Sequence, residues 1–161
     1  MTDLEAETAE YAGFWIRSWT WLIDSIFFLL LTAPPLVAIY GWEYYDFDIE
    51  THGFFAGPAD AIISFGVPFF VTIWMWMKYR TSPGKVLFSL KVVKADTGLA
   101  LTLQQSVIRF FAYFVSFLPL CIGFIWVAID SKKQGWHDKI AGTVVVRSKQ
   151  RGTEAVRFPQ A

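Results

Sequence analysis

The chain has 161 residues, 55 % hydrophobic and 19 % aromatic, and its 14 basic and 14 acidic side chains cancel. Only 17 % of the residues are charged, against about a quarter in soluble domains. The apolar residues fall in long runs, which excludes an ordinary soluble globule and points to an integral membrane protein in contact with lipid. The balanced charge argues against a nucleic-acid partner. A single cysteine, Cys121, allows no intrachain disulfide and reads as a small buried hydrophobe.

The first twelve residues are acidic (Asp3, Glu5, Glu7, Glu10) and lack Lys and Arg. The apolar run behind them therefore has no basic n-region and reads as a retained span rather than a cleaved signal. That run, 13–33, has the roughly 20 residues that cross a hydrocarbon core. Trp15, Trp19 and Trp21 crowd its start, and Pro34-Pro35 are expected to end it. Arg17 and Asp24 interrupt it, each at a cost of roughly 2.5–3.5 kcal/mol at a helix centre. Seven residues make about two turns, so both side chains leave one face about 10 Å apart, too far for a good salt bridge. Each is expected to meet a different partner inside protein or water. Arg17 would snorkel or pair with Asp130 or Asp138. Asp24, near mid-membrane, has Thr20, Ser25, Ser64, Thr72 or Arg109 as candidate neighbours.

The loop 34–58 contains no Lys or Arg and holds Glu43, Asp46, Asp48 and Glu50, so it is expected outside, as an interfacial cap. A second span over 59–77 carries Pro68, which predicts a kink, and leaves through Trp74, Trp76, Lys78, Tyr79 and Arg80. "RTSPGKV" (80–86) lacks phosphate-loop glycine spacing and predicts a turn with a helix start at Ser82-Pro83. The third apolar block, 106–130, has basic residues on both flanks: Lys85, Lys91 and Lys94 before it, Lys132, Lys133, Lys139 and Arg147 after it. The positive-inside rule places both flanks in the cytoplasm, and one crossing cannot. The expectation is a bent or re-entrant hairpin over about 103–130, broken near Pro119 and Gly123; a plain third span is the alternative. Leu103, Val107, Phe110, Phe111 and Phe114 recur at helical spacing, while Gln104, Gln105 and Arg109 are polar, the pattern of an interfacial helix. Two Val-rich stretches, 88–98 and 142–148, are expected to pair as strands on the cytoplasmic face, with Asp96-Thr97-Gly98 as a tight turn.

The fold class is thus an all-α integral membrane protein: two transmembrane helices, a bent or re-entrant third unit and a small cytoplasmic β pairing. It divides into an acidic cytoplasmic amino terminus (1–12), a membrane domain (13–147) and a basic cytoplasmic tail (148–161). Both termini are expected in the cytoplasm of a bacterial inner membrane. His137 beside Asp138 makes no catalytic constellation without a nucleophile in reach. The other histidine, His52, is expected across the membrane, and metal-ligand spacing is absent. No enzyme activity and no cofactor are expected.

Three motifs in order resemble the RDD family of small bacterial membrane proteins, named for one arginine and two aspartates. They are Arg17 with Asp24, then Ser82-Pro83-Gly84-Lys85 followed by "LKVVKADTG", then His137 to Thr143 ("HDKIAGT"). The second aspartate corresponds to Asp138, with Asp130 as the other candidate. The resemblance implies a fold more than a function: family members have been proposed as transporters, including sodium–proton exchangers, and related domains occur as fusion partners in assemblies. Two readings follow. In the first, the chain is a transport-associated membrane protein handling protons or small cations. Asp24 carries the charge, Arg17 modulates it, and Asp138, Asp130 and Arg109 are further pathway candidates. In the second, it is a non-transporting scaffold or assembly subunit whose buried charges fix helix packing. Two spans and a hairpin enclose no pathway alone, so both readings expect a homo-oligomer or a partner membrane protein.

Overall fold

The computed structural model describes residues 9–46, 55–119 and 121–148. In chain order these are β1 (Ala9–Tyr11), α1 (Phe14–Tyr40), a 3-10 turn (Trp42–Asp46), α2 (Pro58–Ala61), a π turn (Ile62–Gly66) and α3 (Val67–Tyr79). Then come α4 (Pro83–Leu87), β2 (Leu90–Lys94), α5 (Leu103–Phe117), α6 (Ile122–Ile125), a 3-10 turn (Trp126–Ala128), α7 (Trp136–Ala141) and β3 (Thr143–Ser148). Asp48, Glu50 and His52, the first eight residues and the tail beyond Ser148 lie outside the described residues.

Pro34-Pro35 do not end the first helix. α1 runs through them for 27 residues and stops at Gly41, whose φ of 76° is the left-handed conformation glycine tolerates. The Gly41 N–H bonds the Val37 carbonyl at 2.9 Å. In apolar surroundings two lost N–H groups cost less than an unwound backbone, which would leave many more polar groups unsatisfied. The charge-free stretch 25–40 supplies about 24 Å of helix at 1.5 Å per residue. Asp24 therefore stands at the border of the apolar half of α1, not at the centre of an apolar run.

The second unit, Pro58–Leu87, is long and apolar enough to cross, as is α1. Near Pro68 the irregularity is the π turn Ile62–Gly66, after which the α-helix resumes at Val67. That wider turn absorbs the missing proline N–H. α3 ends at Arg80 in the left-handed conformation, and α4 folds back against α1.

The third block is bent: α5 meets the Ile122–Ala128 segment at 112°, with Cys121 at φ 62° next to the break. β2 pairs antiparallel with β3, from Leu90 opposite Arg147 to Lys94 opposite Thr143. The two ends of the third block therefore lie side by side. β1, from the acidic segment, was not expected as a strand. It pairs with the other edge of β3 in the order β1-β3-β2. As the central strand, β3 buries Val144, Val145 and Val146. One core cluster joins Val145, Val92 and Leu90 to Ala12, Leu101 and Trp76, which ties the sheet to the helices.

α5 carries the expected amphipathic pattern, and its arrangement shows which side is buried. A capping box between Thr102 and Gln105 starts it. Its buried positions are Ser106, Arg109, Ala112 and Ser116, spaced three, three and four, whereas Leu103, Phe111, Phe114 and Phe117 are exposed. Ser106, Arg109 and Ser116 face the protein with Phe110 and Tyr113 packed against the core, whereas Gln104 and the aromatics Phe111, Phe114 and Phe117 are exposed.

Candidate functional site

The buried charges converge on Asp138, the third residue of α7. The Gly135 N–H donates to Asp138 Oδ2 at 3.1 Å, which aligns the carboxylate at the helix start. Arg17 Nη1 from α1 donates to Oδ2, and Arg109 Nη1 from α5 donates to Oδ1 and to the Thr143 hydroxyl of β3. Arg17 Nε also donates to the Ala12 carbonyl at 2.9 Å. The Arg109 guanidinium lies 5.2 Å from the Trp76 ring centre and 5.8 Å from that of Tyr113. Asp138 and Arg109 are both 0 % exposed. Burial alone would raise the Asp138 pKa, but the guanidiniums of Arg109 and Arg17 outweigh it and hold the carboxyl well below the usual range. One carboxylate thus joins α1, α5, α7 and the sheet.

Beside it lies an arrangement that the sequence did not reveal. Ser116 Oγ is 3.2 Å from His137 Nδ1, and His137 Nε2 is 3.5 Å from Asp138 Oδ2. Serine, histidine and aspartate in this order suggest a hydrolytic triad, but the bonding is structural. Ser116 Oγ donates to the Ala112 carbonyl at 3.0 Å and accepts the His137 N–H at 3.0 Å. The Asp138 carboxylate is committed to two arginines. The His137 ring stacks on Tyr113, centroids 4.4 Å apart, with Phe124 at 5.1 Å. Burial lowers the His137 pKa from 6.5 to about 3; Asp138 opposes this, and Arg109, Arg17 and Lys85 reinforce it.

The same depression sets a pH dependence. At pH above 6.5 His137 is neutral whether folded or not. Below it the unfolded chain binds a proton that the folded one refuses, so stability falls as pH drops from 6.5 toward 3. The slope approaches 1.4 kcal/mol per pH unit, and down to about pH 4.5 the carboxylates contribute little. Thermal unfolding of the detergent-solubilised protein between pH 7.5 and 5 should show this loss. The His137→Asn variant, which retains a polar side chain without the titration, should show a flatter profile.

Asp24 is paired, and its hydrogen-bond partners among the described residues are not Thr20, Ser25, Ser64, Thr72 or Arg109. It accepts from Ser82 Oγ at 2.7 Å, from the Gly84 N–H at 2.7 Å and from Lys85 Nζ at 3.3 Å. The Ser-Pro-Gly-Lys segment brings these donors to α1, because α4 packs directly on the α1 backbone. Arg17 and Asp24 meet different partners, Arg17 finding Asp138 rather than Asp130. Arg109 belongs to the Asp138 cluster. Asp130 is separate: it pairs with Lys139 at 2.5 Å and accepts the Lys132 and Gln134 N–H groups at 3.1 and 3.0 Å. Sequence reading passed over Asp60, which accepts from Ser64 Oγ (2.6 Å), the Ala56 N–H (2.9 Å) and Tyr44 Oη (3.0 Å). An acid four residues before a serine at a helix start was its signal.

A long apolar helix, α1, tied to α5, α7 and a small sheet by one carboxylate between two arginines, with a second helical unit long and apolar enough to cross, defines a membrane protein with a charge-locked core. The sequence model of the RDD family matches residues 11–142, and the chain belongs to that family. It is similar to the uncharacterized membrane protein YteJ of Bacillus subtilis, 31 % identical over 153 residues covering 91 % of this chain and 87 % of that protein. It is also similar to the uncharacterized protein YxaI of the same organism, 27 % identical over 150 residues covering 84 % and 96 % of the two chains. A shorter likeness, 41 % over 64 residues, is to the proline-rich antigen of Mycobacterium leprae and covers 40 % of this chain and 26 % of the antigen. No solved structure matches.

Proposed function

We propose that the chain is a non-enzymatic scaffold or assembly subunit of a bacterial inner membrane, with its sheet on the cytoplasmic side, whose buried charges fix helix packing rather than move ions. The observation that carries this is the engagement of both family aspartates by donors from other elements of the same chain. Asp138 holds two arginines and a helix start, and Asp24 holds a backbone N–H, a hydroxyl and Lys85. A carrier must release its ion, and carboxylates locked by fixed donors resist that.

One observation favours the transport reading, in which an oligomer handles protons or small cations. The Asp24 side chain keeps 14 % of its exposure and lines a cavity of about 410 Å³ beside Lys85. Intramembrane acids next to a cavity are the usual proton carriers. Flux in proteoliposomes under imposed proton and sodium gradients separates the two. The scaffold reading expects no flux above protein-free vesicles, and expects Asp24→Asn to reduce the yield of folded protein or its assembled form. Gradient-driven flux that disappears in a normally folded Asp24→Asn variant would overturn it.

A further inference from the structure

A second cavity, of about 310 Å³, adjoins the one beside Asp24, and the two share walls formed by Trp21, Lys85, Tyr113, Phe117 and Phe124. Arg17, Lys85, Arg109 and His137 line the smaller cavity, and no carboxylate does. The local charge does not balance. Arg17, Lys85 and Arg109 bring three positive charges, Asp138 and Asp24 bring two negative ones, and His137 is neutral. Arg17 Nη2 and Arg109 Nε, both shut off from solvent, have no hydrogen-bond partner among the described residues. A sequestered cation short of a counter-ion is costly unless something compensates it.

The remaining wall is mostly apolar, with Ser18 and Thr20 among its lining residues, and its outer members Trp21, Phe117 and Ile125 are exposed at the molecular surface. A ligand that suits this cleft carries one net negative charge at one end and hydrocarbon at the other, and arrives from the side. We infer that the cleft is a binding site for an anionic phospholipid. Its phosphate sits against Arg17 and Lys85, and an acyl chain lies along Trp21, Phe117 and Phe124. A zwitterionic phospholipid brings its own cation and leaves the excess positive charge uncompensated, so the site selects a lipid such as phosphatidylglycerol over phosphatidylcholine.

Native mass spectrometry of the full chain released from nanodiscs of equimolar phosphatidylglycerol and phosphatidylcholine tests this. The expected result is one phosphatidylglycerol retained in preference to phosphatidylcholine. Arg17→Gln should weaken retention about tenfold, the equivalent of one charged hydrogen bond. Because Arg17 also holds Asp138, Ser18→Trp provides the independent variant. Ser18 lines the same cavity, and among the described residues its hydroxyl bonds only the Phe14 carbonyl of its own helix, at 3.1 Å. The indole fills the space without changing any charge, so it should reduce retention comparably while leaving the melting temperature near wild type. Equal retention of the two lipids, a preference unchanged in Ser18→Trp, or displacement of the lipid by inorganic phosphate alone would each overturn the assignment.

Discussion

Asp138→Asn should leave little folded protein. The substitution preserves shape and removes the carboxylate that Arg17 and Arg109 share, so two largely buried guanidiniums lose their common counter-charge among the described residues. Breaking a buried ion pair by deleting one partner costs about 3–5 kcal/mol, a large part of the 5–15 kcal/mol that typically holds a domain together. The amide also offers one acceptor oxygen where the carboxylate serves Arg17, Arg109 and the Gly135 N–H. Thermal unfolding by fluorescence-detected size exclusion provides the measurement. Asp130→Asn is the internal comparison: its partner Lys139 keeps 44 % of its side-chain exposure, and exposed pairs contribute about 0–1 kcal/mol. Similar melting temperatures for the two variants would contradict the central role given to Asp138.

Gly84→Ala should be nearly as damaging although it adds one methyl group. A Cβ on Gly84 would stand 2.2 Å from the Thr20 carbonyl oxygen and 3.1 Å from the Asp24 nitrogen, both backbone atoms of α1. Neither can swing aside, so α4 must lift off α1. The Gly84 N–H to Asp24 bond goes with it, and Lys85 loses its seat. Overpacking of this kind costs about 1–3 kcal/mol, and the lost charged hydrogen bond about 1.5–3 kcal/mol more. Gly13→Ala is the control, because nothing lies within 4 Å of a Cβ there. Lowered thermal stability together with faster modification of Lys85 by an amine-reactive reagent is the expected signature. A Gly84→Ala protein that melts with Gly13→Ala would show that the close approach of α4 to α1 is dispensable.

The parts of this molecule legible in the sequence are those that composition and period report. Arg17 and Asp24 were visible because charge in an apolar run is rare, and their seven-residue spacing already denied them each other. The β2–β3 pairing was readable from two Val-rich stretches bounded by glycine. The bend of the third block was readable from basic residues on both its flanks. Pro34-Pro35 misled, because the cost of proline was weighed against water rather than against an apolar medium that penalises unwinding more. β1 escaped notice because three residues carry no period. The Ser116, His137 and Asp138 arrangement lay hidden because 21 residues separate the first two, and only the bend after α5 brings them together.

Hydropathy and charge along the chain determined by themselves that there are two long apolar helices, a third apolar block with basic residues on both flanks, and charges in need of shelter. Tertiary structure alone decided which acid each base meets: Arg17 and Arg109 with Asp138, Lys85 with Asp24. It also decided that Ser106, Arg109 and Ser116 of α5 turn inward. The reason is physical. Helical periodicity reveals that a helix has two faces, but beside lipid the apolar face can point outward and the polar one can be the core, so the pattern does not say which side is buried.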